Sequence, residues 1–303
     1  MLKHVKRTVE LLLVRGGATA LARRLSRSHS LILAYHNVVP DLAEPRGEAN
    51  LHLPRRRFAA QLDLLARTHE IVDLDSLLHA PSGRRWRPLA AITFDDAYRG
   101  ALTCGLDELA ARRLPATVFV APARLGADAF WWDALADSTG KCLPGEVRRR
   151  ALDELAGRQT AVVRWASETG LRLDRLPDSL LPVTEDELRK AVGRARITLA
   201  SHGWSHANLA RLLPEELEDE LARPLRWLRE RFRAVRPWLA YPYGISSPRV
   251  ERAAAAAGYE VALRVEGGRL RPQHVDRYAL PRMNVPGQVS LEGFRLRTAG
   301  LIS

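Results

Sequence analysis

Two histidines stand four residues apart in LASHGWSH, at His202 and His206, and an aspartate doublet, Asp95-Asp96, closes the apolar run LAAITF. Imidazole nitrogens and carboxylate oxygens are donors for a divalent cation. Two His with one Asp leave coordination positions open for water and substrate, the mark of a catalytic rather than a closed structural site. On a helical turn, side chains at i and i+4 share one face about 6 Å apart along the axis, which suits two imidazoles on one ion. In extended chain, neighbouring side chains point to opposite sides, so Asp95 and Asp96 can take different roles, one on a metal and one toward substrate. Spacing alone does not decide. Nine histidines in 303 residues give roughly a quarter of such a pair by chance, the aspartates nearly one doublet, and a helix N-cap remains an alternative for the doublet.

Two further segments carry polar groups where apolar runs stop. In Tyr241-Pro242-Tyr243-Gly244, Pro fixes the backbone and Gly permits a tight turn, so the Tyr243 N–H can face inward; an ordinary surface turn is the alternative. LILAYHNVVP ends its apolar stretch at Tyr35-His36. For His36 taken alone, a hydrogen-bonded residue near the mouth of a barrel is the simpler reading.

These side chains need strands to deliver them. Runs rich in β-formers recur at Leu31–Tyr35, Leu89–Phe94, Ala116–Val120, Ile197–Ala200, Trp238–Tyr241 and Tyr259–Val265. Helical patterns lie between them, at Phe58–Thr68, at Ala101–Arg113 ahead of Pro115, after the capping box Thr184-Glu185-Asp186-Glu187, and from Pro214 through Phe232. Strands alternating with helices imply right-handed crossovers and a mainly parallel sheet or barrel, whose catalytic residues gather where the strands end. Residues 144–182 show two helix-like stretches and no clear strand, and read as an insertion packed on the outside.

Composition narrows the function classes. An apolar content of 46% fills an α/β core and excludes a disordered chain. The net charge of +12 invites a nucleic-acid reading, yet only four of the 47 basic residues are Lys. The arginines are spread along the whole chain without an RNA-binding aromatic motif or zinc-finger spacing, so no specific nucleic-acid partner is expected. Cys104 and Cys142 sit in no metal-ligand spacing and read as free thiols. Near the amino terminus, Leu11-Leu12-Leu13-Val14 is cut off by Arg15, too short to span a membrane and a poor secretory segment. Residues 1–30 are expected to form a basic helical segment ahead of one domain at 31–303, with 1–28 able to lie on an anionic membrane face. The expected location is the cytoplasm or the periphery of the inner membrane.

TFDDAY (93–98), SHGWSH (201–206) and AYPYG (240–244), with LAYHNVV (33–39) ahead and LPRMNV (280–285) behind, closely resemble the polysaccharide deacetylase family, carbohydrate esterase family four with its NodB-type homology domain. The resemblance covers about residues 31–285. It implies an α/β fold, a mainly parallel distorted (β/α) barrel with fewer than eight complete strands. It also implies a hydrolase that removes N-acetyl groups from an N-acetylhexosamine polysaccharide or glycoconjugate. Asp96, His202 and His206 correspond to the family's metal ligands, for Zn²⁺ first, with Co²⁺ or Ni²⁺ as alternatives, and Asp95 to its base. Tyr243 would offer its N–H to the oxyanion.

The chain departs from the family at three places. Gly203 stands where Ser or Thr is usual, and Ala240 where an Arg usually pairs with the base, although a branch resembling poly-N-acetylglucosamine deacetylases carries a similar A-Y-P-Y-G. The late motif that supplies a general-acid His has no match, since His274 follows Leu270 at the wrong spacing. His36 is therefore assigned as general acid, and Arg282 as electrostatic support of Asp95. Trp131, Trp204 and Tyr241 are assigned to sugar contact; Trp132 is a further candidate, with a place in the core as its alternative. Two alternatives share the fold: a deacylase of a small or lipid-linked amino sugar, and a non-catalytic glycan-binding protein.

Overall fold

β-branched and aromatic side chains pack well on a pleated surface, and the runs that carry them become strands. The computed structural model describes residues 10, 19, 22, 29–44, 46–81, 86–138, 142–194, 196–270 and 276–302. Apart from Glu10, Thr19 and Ala22, the basic segment at 1–28 lies outside the described residues, as does His274. The barrel strands are β1 (Ser30–Tyr35), β2 (Leu89–Phe94), β3 (Ala116–Val120), β4 (Ile197–Ser201), β5 (Val235–Ala240), β6 (Val261–Gly267) and β7 (Leu280–Asn284). Each pairs in parallel with the next, and β7 closes on β1. This is the expected distorted (β/α) barrel, with seven strands among the described residues.

The last strand is the one the apolar pattern hides. Pro281 cannot donate to a ladder and normally argues against a central strand. Here the pairing of β7 with β6 shifts register between Leu280 and Arg282, and the proline sits at that irregularity. The extra residues lie in β6, where Leu263 to Gly267 spans Leu280 to Arg282, so the alternation along β7 is kept.

Alternate residues of all seven strands fill the barrel: Ile32, Ala91, Phe119, Ala200, Trp238, Leu263 and Leu280 form one buried cluster. Residues of opposite parity, such as Leu33, Phe94 and Val118, pack outward against Phe58 and Leu62 of the helix Arg55–Thr68 and Leu109 of the helix Leu106–Ala111. Full burial of one such side chain contributes roughly 1.5–3 kcal/mol, so both layers oppose the entropy of ordering the loops between them. The capping box forms: Glu187 accepts from the Thr184 N–H at 2.8 Å, and the Glu187 N–H donates to the Thr184 hydroxyl at 3.2 Å. No helix among the described residues is long and apolar enough to cross a membrane.

The segment 144–182 holds the helices Gly145–Asp153 and Gln159–Glu168. It is not confined to the outside. Its turn at Ala156 and Gly157, both at positive φ, reaches the mouth of the barrel, where the Gly157 carbonyl accepts from the Tyr243 hydroxyl at 3.0 Å.

Candidate active site

The inward parity of the strands continues past their carboxyl ends. Counting by twos from Ile32, Ala91, Ala200 and Leu280 reaches His36, Asp95, His202 and Arg282, so the barrel itself aims these four side chains at one mouth. Asp96, of opposite parity, comes in by a different route: its backbone is left-handed at φ 70°. His206 at 66° and Tyr243 at 60° adopt the same unfavourable region. Each such residue costs on the order of 1 kcal/mol or more and persists only where its surroundings over-determine it, a pattern that clusters at functional sites.

Asp96, His202 and His206 are all buried and bring one ligand atom each within 4.8 Å of one another. Asp96 Oδ1 lies 2.9 Å from His206 Nε2 and 3.5 Å from His202 Nε2. That oxygen is buried without a well-formed hydrogen bond. An orphaned carboxylate oxygen facing two imidazole nitrogens is a donor set that fits a divalent ion. The tautomer of His202 is fixed for the purpose, because its Nδ1 meets the Ala240 carbonyl at 2.8 Å and leaves Nε2 free. His206 is held differently. Its Nδ1 has no partner among the described residues, and rings surround it, Tyr243 at 4.6 Å and Trp132 at 4.8 Å between centroids.

Asp95 is 2% exposed and its carboxylate takes both arms of Arg282, Nη1 and Nη2 each at 2.7 Å. Arg282 is wholly buried and is itself fixed by the Arg264 carbonyl at 2.8 Å and the Thr93 hydroxyl at 3.2 Å. Burial favours the neutral acid at Asp95, but the Arg282 and His202 charges outweigh it and hold the carboxyl below the usual range. Burial lowers the affinity of His36 for a proton, opposed by Asp95 and Asp96. The His36 Nδ1 is buried and has no partner among the described residues. At His202, burial also works against protonation, and there Asp95 and Asp96 prevail.

Of the three residues assigned to sugar contact, two are placed elsewhere. Tyr241 is fully buried, with its hydroxyl on the Tyr278 carbonyl at 2.8 Å, because its parity on β5 points out of the barrel into the helix layer. Trp131 is 1% exposed and donates from Nε1 to the Gly157 carbonyl at 3.2 Å and the Tyr243 hydroxyl at 3.1 Å; it buttresses Tyr243 and offers no face to a sugar. Trp204 is partly exposed, with the Arg223 guanidinium over its ring at 3.8 Å.

A buried polar chain escaped the motif search. Asp133, 0% exposed, accepts from the Glu48 N–H at 2.9 Å, His52 Nε2 at 3.0 Å and the Tyr98 hydroxyl at 2.5 Å. Tyr98 in turn accepts from Trp132 Nε1 at 2.9 Å, which fixes the ring that packs on His206. The only signal in the sequence was an acid directly after two tryptophans. Glu220 was also unforeseen. It accepts from the N–H groups of Trp204 and Ser205 at 2.9 and 3.0 Å and from the Ser205 hydroxyl at 2.5 Å, bracing the loop that lacks a hydroxyl at Gly203.

Gly157 should tolerate no side chain. Its φ is +63°, and a Cβ there would stand 2.7 Å from the Tyr243 hydroxyl oxygen. Gly157→Ala is expected to destabilise the protein by at least roughly 1–2 kcal/mol, the cost of the left-handed conformation alone, as read by thermal denaturation.

The sequence profile described as polysaccharide deacetylase matches residues 83–262, a stretch that holds Asp95, Asp96, His202, His206 and Tyr243 and stops short of His36 on one side and Arg282 on the other. Among curated proteins, none matches. Solved structures do. BC0361, a polysaccharide deacetylase from Bacillus cereus, aligns with a TM-score of 0.62 and 14% identity over 89% of this chain and 69% of its own. The deacetylase PplD of Streptococcus pyogenes, in complex with acetate, gives 0.61 and 15% over 89% and 98%. IcaB from Ammonifex degensii gives 0.59 and 18% over 90% and 96%. At these identities the likeness speaks for the fold. The profile, which spans more than half of the sequence and takes in the acidic doublet and the histidine pair now seen side by side, settles membership: the chain belongs to the polysaccharide deacetylase family.

Proposed function

We propose that the protein is a divalent-metal-dependent hydrolase that removes N-acetyl groups from N-acetylhexosamine units of a polysaccharide or glycoconjugate. The observation that carries this reading is the buried Asp96, His202 and His206 cluster set beside an ionised Asp95 clamped by Arg282. Asp96, His202 and His206 would hold the ion, Zn²⁺ by the preference of an N/O donor set, with Co²⁺ or Ni²⁺ as alternatives. When bound, such an ion supplies Lewis acidity, making water nucleophilic near neutral pH and polarising the acetamide carbonyl.

The remaining work belongs to the chain. Asp95 accepts the proton of the attacking water, and Arg282 keeps it ionised and correctly turned for that task. The Tyr243 N–H donates to the developing oxyanion. His36, whose burial favours the neutral ring while Asp95 and Asp96 lie near, receives the proton that Asp95 took from water and passes it to the departing amine, which returns both groups to their starting states. Water is limited by the aromatic wall of Phe130, Trp132 and Tyr243 around His206.

The test is to strip the purified protein with a chelator, reload it with Zn²⁺, Co²⁺ or Ni²⁺, and follow acetate release from N-acetylglucosamine oligomers beside elemental analysis. About one ion per chain, with acetate release lost on stripping and restored on reloading, is the expected result. A protein that takes up no ion and releases no acetate after reloading would overturn the reading.

A further inference from the structure

Arg124 follows β3 directly, in the turn Pro122–Arg124, and is 9% exposed. Its planar guanidinium presents five donors in a rigid fork. One contact is polar: Nη2 donates to the Asp128 carbonyl at 2.8 Å. Nε is buried without a partner, and no carboxylate among the described residues lies within 4.0 Å. The charge rests over the Phe130 ring at 5.2 Å. Burial works against that charge, and the effects of Tyr243, Asp128 and Asp96 oppose the loss only in part.

Buried arginines are normally paired, because removing a charge from water without a counter-charge is unfavourable. The location adds meaning. Phe130 stacks on Trp132 at 4.3 Å and packs on His206 at 5.9 Å, so a single aromatic ring separates the guanidinium from a candidate metal ligand. The neighbouring Ala123 N–H donates to the Trp204 carbonyl at 3.0 Å, which ties the turn to the 202–206 loop. A guanidinium with an unpartnered Nε, just past the end of β3 and one ring from the proposed reaction centre, suits the oxygens of a carboxylate or phosphate.

We infer that Arg124 binds an oxyanion carried by the substrate, a carboxylate or a phosphate on the N-acetylated sugar or its neighbour. The inference rests on the deacetylase reading for the identity of the sugar, while the anion contact stands on the geometry of Arg124 itself.

Calorimetry on the metal-loaded protein separates the two. The probes are N-acetylglucosamine, its 1-phosphate, and N-acetylmuramic acid, whose lactyl group supplies the carboxylate, each titrated into wild type, Arg124→Lys and Arg124→Met, with melting temperatures and ion content measured on all three proteins. Wild type is expected to bind at least one anionic sugar about tenfold or more tighter than the neutral one, since a charge-assisted bidentate contact is among the stronger hydrogen-bonding arrangements. Arg124→Met should lower that ratio about tenfold relative to wild type, and Arg124→Lys should retain part of it. Whichever anionic sugar carries the Arg124-dependent ratio identifies the source. Any contact of the anion with the bound ion is common to all three proteins and cancels in the comparison. A wild type that binds all three sugars alike, or an Arg124→Met protein that keeps the preference with its ion content and fold intact, would overturn the inference. Acetate release from N-acetylglucosamine oligomers, followed on the same metal-loaded proteins, tests the deacetylase reading separately: an Arg124-dependent preference without any such release would uphold the anion site and sink that reading alone.

Discussion

His206→Ala is expected to reduce bound metal from about one ion per chain to near zero and acetate release to background, the largest effect of any single substitution proposed for this protein. The reason lies in how the ligands are held. His202 is steered by the Ala240 carbonyl, so its ring stays oriented whether or not an ion is present. His206 has no such partner at Nδ1 and stands on a left-handed backbone inside a ring cage. Truncation therefore removes a ligand and leaves Trp132 and Tyr243 facing a void. His206→Gln, which fills the space, should recover thermal stability but not ion binding. If His206→Ala kept its ion and its turnover, Asp96 and His202 would have to suffice, and the proposed site would be wrong.

The second large effect concerns Arg282. Removing one partner of a buried ion pair strands the other charge, and Arg282→Met should destabilise the protein by about 3–5 kcal/mol. It should also cut kcat, because Asp95 would then be driven toward the neutral acid by burial and could no longer accept a proton. Asp95→Asn is expected to lower kcat by about 10²–10⁴ with ion content preserved, the range typical of a lost general base. The double variant Asp95→Leu with Arg282→Met provides the separation. Replacing a buried pair by apolar groups of similar volume is often neutral, so stability should largely return while activity stays absent. Urea denaturation and acetate release on the four proteins read both quantities. A double variant as unstable as Arg282→Met alone would mean that the arginine acts mainly through Thr93 and the Arg264 carbonyl.

How far the sequence disclosed this site can be argued from parity. Once β1, β2 and β4 are recognised as strands, alternation dictates that His36, Asp95 and His202 face the same interior, and those positions were legible. The same rule places Tyr241 on the outer face of β5, one residue after inward Ala240, so its assignment to substrate ignored a constraint already present in the pattern. Arg282 was legible as a charge near a motif but not as a strand residue, since Pro281 interrupts the apolar alternation and only the shifted pairing with β6 accommodates it. The helix foreseen at Ala101–Arg113 begins with a π-helical turn at Ala101–Gly105, a deviation common near functional sites and invisible to a search for a 3.6-residue period. Asp133, Glu220 and Arg124 were beyond reach for another reason. Each acts on groups distant in sequence, and no spacing rule connects an acid at 133 with His52 or one at 220 with Ser205.

The closing strand has a consequence for the order in which the protein comes into being. β7 emerges from the ribosome some 250 residues after the strand it joins, and such long-range pairing is slow because the intervening chain must be closed into a loop first. Until then β6 and most of β1 present an open edge, with only Ser30 and Leu31 paired to Leu270 and Arg269, and Asp95 lacks the guanidinium that clamps it. A nascent chain halted before residue 280 should thus be sticky and inert, whatever else of the barrel has formed. On the proposed mechanism Arg282 would serve as a completion signal, since the strand that seals the edge also brings the guanidinium that clamps Asp95.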